Sequence, residues 1–95
     1  MYTIYVKFTC LPEKREVFIQ KVKETGILAS IRAEDGCIRY DYYRSEKAPC
    51  ELLLIEQWAS AEHQKIHMTQ PHMAQMKTFK EAYVASTAIG ELELK

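Results

Sequence analysis

Residues 2–10, "YTIYVKFTC", alternate so that Ile4, Val6, Phe8 and Cys10 fall on one side of an extended chain, a period of two that predicts a first strand. Pro12 suits the first turn of a helix, with Glu13 and Glu16 following where the helix dipole favours acid. Val17, Phe18, Ile19 and Val22 supply the apolar face of that helix. Gly26 weakens or ends it, and Ile27, Leu28 and Ile31 continue an apolar stripe beyond. The stretch "EDGC", residues 34–37, reads as a turn.

Two further strands are expected at "CIRYDYYRS", residues 37–45, and "ELLLIEQW", residues 51–58, joined through "EKAP". In the first, Tyr40 and Tyr42 share a face with Ile38. The second is apolar on both faces at its start, with Leu52 and Leu54 on one side and Leu53 and Ile55 on the other. A sheet covered by helices on one face should instead alternate. Something must cover both faces, and in a chain with two helical regions a partner subunit is the candidate for the second cover.

Ser60 is placed to cap a short helix over "AEHQKIHMT". Pro71 pushes Gln70 out of helical geometry and pre-sets the start of another helix, with His72, Met73, Met76, Phe79 and Tyr83 on one stripe. "VASTAIGELEL", residues 84–94, closes as a last strand. The order β-α-β-β-α-β implies an α+β, ferredoxin-like fold: one domain over 1–95, with an antiparallel sheet and helices on one face.

Size changes the picture in one respect. A chain of 95 residues buries only about two-thirds of its unfolded surface, so assembly is a plausible source of added stability. Thirteen basic residues balance thirteen acidic ones and are scattered, which argues against a nucleic-acid or anionic-membrane partner. Cys10, Cys37 and Cys50 are odd in number and include no C-x-x-C, so reduced cysteines are expected. The N-terminal alternation lacks a signal peptide's continuous apolar core, and a cytoplasmic location is expected.

Chemistry concentrates in "ASAEHQKIHMTQPHMAQM", residues 59–76, which holds all three histidines. His63 and His67 are four apart, the spacing of a zinc-protease pair, but that motif needs a glutamate after the first histidine and Gln64 stands there. No metal is expected on that pair. His67 and His72 flank the Pro71 bend beside Ile66, Met73 and Met76. At such an edge an imidazole can move a proton near neutrality, or satisfy backbone freed by the bend. Glu56 shares a strand face with Leu52, Leu54 and Trp58, where an unpaired carboxylate is costly. Trp58 reads as core or as the wall of an aromatic pocket, Tyr40 and Tyr42 as structural tyrosines with a wet tip, and Met68, Met73 and Met76 as adaptable core filling or as lining for a flat apolar ligand.

The run from "RAEDGCIRYDYYRS" through "LLLIEQWAS" to "HMTQPHM" resembles the antibiotic biosynthesis monooxygenase domain family. The matching features are the acidic-Gly-Cys turn before a tyrosine-bearing strand, the E-x-W at a strand end, and a helix ending in histidine before a Pro-His step. The resemblance implies a dimeric α+β barrel in which two subunits pack sheet against sheet. It places Tyr40, Glu56, Trp58, His67, His72 and Met73 on motif positions. It implies His67 as the proton-moving group, Glu56 polarising or orienting it, and Trp58, Tyr40, His72 and Met73 binding substrate. The implied activity is a cofactor-independent monooxygenase, with neither flavin nor metal, acting with dioxygen on a small electron-rich aromatic such as a quinol. Haem-degrading relatives pair an asparagine with tryptophan and histidine; this chain has no asparagine, which argues against that chemistry.

Two other readings stay open. One is an isomerase or degradative enzyme for a small phosphorylated signal sugar, resembling relatives that process phospho-autoinducer-2. It requires Arg32, Arg39 and Arg44 to converge on phosphate. The other is a dimeric barrel that binds a ligand without turnover.

Overall fold

The computed structural model describes residues 1–93. Four strands, β1 (Tyr2–Cys10), β2 (Cys37–Arg44), β3 (Glu51–Trp58) and β4 (Val84–Glu91), form one sheet in the order β2-β3-β1-β4 with every neighbouring pair antiparallel. Each expected helical region is a broken pair: α1 (Arg15–Glu24) with α2 (Ile27–Arg32), and α3 (Ala61–Met68) with α4 (Pro71–Lys80). The result is the ferredoxin-like α+β fold in the order β-α-α-β-β-α-α-β. Among the described residues no helix is long and apolar enough to cross a membrane, and the three cysteines are free.

The breaks have local causes. Gly26 sits at φ 80°, a left-handed conformation that side chains resist, and so divides α1 from α2. Gln70 is extended at φ −71° and ψ 146°, and Pro71 begins α4 as expected of a proline that needs no donor there. Ser60 caps α3 by accepting from the backbone N–H of His63. Three expectations shift. Pro12 lies in a turn before α1, which starts at Arg15 because Glu13 takes a positive φ of 65° that no helix tolerates. Ile38 does not share a face with Tyr40 and Tyr42, because the β2–β3 register slips between Cys37 and Arg39 and leaves Ile38 exposed. The stripe from His72 to Tyr83 buries fully only Met76, since the helix ends at Lys80 before Tyr83. The expected last strand is observed to Glu91; Leu94 lies outside the described residues.

Ile4, Val6 and Phe8 of β1 and Leu52, Leu54 and Trp58 of β3 point to the helices, where they pack with Phe18, Val22, Ile27 and Ile31. Phe8 meets Phe18 edge to face at 5.6 Å. Tyr5, Leu53, Ile55 and Gln57 occupy the opposite face, set there by the alternation of paired strands. Gly90 leaves room for the Tyr5 ring, which a side chain at that position would strike. Ile55 and Gln57 are already buried within the single chain, whereas Tyr43 on the same face is 43% exposed.

Candidate functional site

β3 carries Glu56 and Trp58 on its helix-facing side, two residues apart and therefore aligned. The Trp58 indole N–H donates to Glu56 Oε1 at 3.0 Å. Register on β2 sets Cys37 against Trp58 and Tyr40 against Glu56. From above, the last turn of α3 lowers His67 into this corner, where its side chain is 0% exposed. Its ring lies 4.7 Å from that of Trp58, tilted by 34°, and 5.7 Å from that of Tyr40, nearly edge to face.

The imidazole is held by Glu34, a residue the sequence reading passed over. Glu34 Oε2 lies 2.8 Å from His67 Nδ1 and 2.7 Å from His72 Nε2. A carboxylate only accepts hydrogen bonds, so each of those nitrogens carries the proton it donates. In the neutral ring Nε2 of His67 is then the lone-pair nitrogen; it is buried, has no hydrogen-bond partner among the described residues, and stands 3.9 Å from Glu56 Oε1. Glu56 is thus within electrostatic reach of His67 but beyond a hydrogen bond. Orientation comes from Glu34. Neither histidine side chain serves the backbone freed at Pro71, where the N–H groups of Thr69 and Gln70 find the carbonyls of Ile66 and His67.

Glu34 holds its place because its turn is clamped. Gly36, at φ 80°, accepts from the N–H of Ala59 at 2.8 Å and lies flat against the His63 ring. His63 in turn contacts Ser60 Oγ through Nδ1 at 2.7 Å and Asp35 through Nε2 at 3.3 Å. His63 is therefore a half-buried structural clasp. The one sequence signal for Glu34 is the acidic-Gly-Cys turn itself, whose acid reads as ordinary turn punctuation until α4 brings His72 across it.

Burial sets the electrostatics. It pushes the Glu56 carboxyl above its ordinary value, against the indole hydrogen bond and the nearby His67, which act in the opposite direction. It raises the Tyr40 phenol well above its ordinary value and raises the Cys37 thiol. Met73 packs half-buried against the core edge. Open clefts lie elsewhere: one includes Lys7, Tyr43 and Leu53 on the opposite sheet face, another Lys77, Lys80 and Thr87 between α4 and β4. The three arginines do not converge. Arg32 donates to the Tyr40 carbonyl and pairs with Asp41, Arg44 pairs with Glu16, and Arg39 sits opposite Gln57 on the other face of the sheet.

Among the described residues, Glu34, His67 and His72 form a group of donors that could hold a metal, their ligand atoms lying within 4.8 Å of one another. This differs from the His63–His67 pair weighed in the sequence, because His63 is engaged by Ser60 and Asp35.

The family model described as antibiotic biosynthesis monooxygenase matches residues 1–78. The fold is shared with a Pseudomonas aeruginosa protein at a TM-score of 0.84 and 23% identity, covering 99% of this chain and 93% of that one. A Mycobacterium tuberculosis protein aligns at a TM-score of 0.81 and 24% identity, over 99% of this chain and 94% of the other. A Methanosarcina mazei protein gives 0.83 and 24%, over 100% and 95%. Among curated proteins none matches significantly. The chain belongs to the antibiotic biosynthesis monooxygenase family.

Proposed function

We propose, from membership of the antibiotic biosynthesis monooxygenase family and from the state of His67, that this protein is a cofactor-independent monooxygenase of small electron-rich aromatics such as quinols. The observation that carries the reading is a fully buried imidazole whose Nδ1 is held by a carboxylate and whose Nε2 is free. That is the arrangement of a general base with its tautomer fixed. Glu34 orients the ring and stabilises the imidazolium that forms; Glu56 adds negative charge on the Nε2 side. Trp58 and Tyr40 supply a dry aromatic wall, and His72 and Met73 line the approach, since His72 is the more exposed of the two histidines on Glu34.

In the proposed reaction His67 Nε2 takes a phenolic proton. The anion passes one electron to dioxygen, and the radical pair joins at a ring carbon as a peroxide. Loss of water, made from the outer peroxide oxygen, the ring hydrogen and the proton that His67 gives back, leaves a carbonyl at that carbon. Quinol and dioxygen thus give a hydroxyquinone and water. The protein's own share is proton transfer, exclusion of water and stabilisation of the anion. Because the imidazole is closed off in the resting chain, substrate displaces side chains near His72 to reach it. Oxygen uptake on a panel of reduced quinones and anthrones tests the reading. Uptake above autoxidation, lost in His67→Ala, supports it; full turnover by that variant sinks the assignment of the base.

The separation of Arg32, Arg39 and Arg44 weighs against a phosphate cradle and thus against the phospho-sugar reading. The assembly we propose is a homodimer built on the sheet face of Leu53, Ile55 and Tyr43, which carries these apolar side chains and, among the described residues, no helix.

A further inference from the structure

We propose that Glu34, His67 and His72 bind one divalent transition-metal cation, and that the bound cation switches off His67 as a base; the second half rests on the function proposed above. Three observations converge. The donors, two imidazole nitrogens and one carboxylate oxygen, come from three different parts of the chain: the turn after α2, the end of α3 and the start of α4. Their ligand atoms lie within 4.8 Å of one another. A tetrahedral cation with bonds of about 2.1 Å sets its donors about 3.4 Å apart. Glu34 Oε2, at 2.8 and 2.7 Å from the two nitrogens, therefore has to withdraw by about 0.6–0.7 Å.

The other side of the imidazole supplies the third observation. A histidine that ligates through one nitrogen carries its proton on the other, and that N–H is ordinarily given to a carboxylate, a backbone carbonyl or water. Here Nδ1 faces the other donors, and Nε2 is a buried atom without a partner, 3.9 Å from the buried Glu56 carboxylate. Metal on Nδ1 moves the ring proton to Nε2. The orphaned atom becomes a donor facing an acceptor, and a shift of about 1 Å closes the bond. The polar arrangement is thus more complete with a cation than without one.

The donor set specifies the ion. Two imidazoles and one carboxylate suit Zn²⁺, Co²⁺, Ni²⁺ or Fe²⁺, whereas Mg²⁺ and Ca²⁺ prefer oxygen cages. Access runs past His72, whose side chain is 18% exposed, to Glu34 at 11%. The functional consequence follows from the relocated proton. With Nε2 protonated, His67 has no lone pair to accept a phenolic proton, so the cation acts as a reversible inhibitor.

The test uses the full chain, stripped of metal. Co²⁺ is titrated while visible absorption is recorded, and Zn²⁺ is titrated by calorimetry. Wild type is expected to bind one equivalent, with cobalt bands of low coordination number. His72→Ala and Glu34→Gln should each lose at least about 100-fold in affinity, while Lys65→Ala, on the exposed face of α3, keeps it. Glu56→Gln, which removes the partner of the relocated proton, should lose about 10- to 100-fold. Circular dichroism checks that each variant is folded; His72 is half-buried and lies outside the core cluster, so its replacement leaves that core intact. Absence of one-equivalent binding in the wild type, or binding undiminished in both His72→Ala and Glu34→Gln, overturns the site. The inhibitory half is read separately as Zn²⁺-dependent loss of oxygen uptake, reversed by chelator. Uptake that persists with the site saturated refutes inhibition, and a protein that binds metal but never consumes oxygen refutes the monooxygenase reading while leaving the site standing.

Discussion

Trp58 and His67 lie ring against ring at 4.7 Å, and the indole N–H of Trp58 is bound to the carboxylate that faces the free nitrogen of His67. One side chain therefore packs the imidazole and also fixes the position of the charge beside it. The Glu56–Trp58 pair is made within a single strand. His67 reaches it only when α3 docks on the sheet, which ties the site to the completed fold.

Replacing His67 by alanine removes a fully buried ring and leaves Glu34 short of one donor. Cavity and lost hydrogen bond together should cost about 2–4 kcal/mol. The check is the urea midpoint of wild type and variant at equal slope. A loss below about 0.5 kcal/mol would mean that the corner is looser than its geometry implies.

Glu56 gives stability a pH dependence of definite sign. Burial raises its folded-state value above the ordinary carboxylate range, so the folded chain holds the proton to higher pH than the unfolded chain. Its contribution is fully present below the unfolded value and falls as pH rises through the folded one. Glu56→Gln should flatten that decline. Unfolding free energies measured from pH 4 to pH 8 on both proteins would reveal it, and parallel curves would disprove it.

Gly36→Ala combines a left-handed backbone with a collision against the His63 ring. The backbone part alone costs about 1–2 kcal/mol. In a His63→Ala background the collision disappears and the backbone cost remains, so a double-mutant cycle should show coupling of at least about 0.5 kcal/mol. Additive effects would show that ring and turn are independent.

The opposite sheet face offers a test of assembly. Leu53→Lys combined with Tyr43→Lys places charge where the homodimer is proposed and should shift a dimer to monomer in light scattering coupled to size exclusion. A wild type that runs as a monomer at all concentrations would remove that interface.

Much of the fold could be read along the chain, because its signals are local. The period of two in β1, the cap at Ser60 and the helix start at Pro71 depend on neighbours within a few residues, and each was observed. Where reading went astray, something beyond the neighbours intervened. Pro12 suits a helix start equally well in a turn. Ile38 left its expected face because the β2–β3 register slips, a feature of two strands that no single strand announces.

For the site the division is sharper. The sequence by itself determined that Glu56 and Trp58 share a face, since strand geometry alternates, and that His67 and His72 flank a break, since proline breaks a helix. Only the tertiary structure decided that both histidines converge on Glu34, which lies 33 and 38 residues before them. A turn glutamate is a polar surface residue by every local rule. It becomes the anchor of a buried imidazole only when packing brings the turn after α2, the end of α3 and the start of α4 to one point.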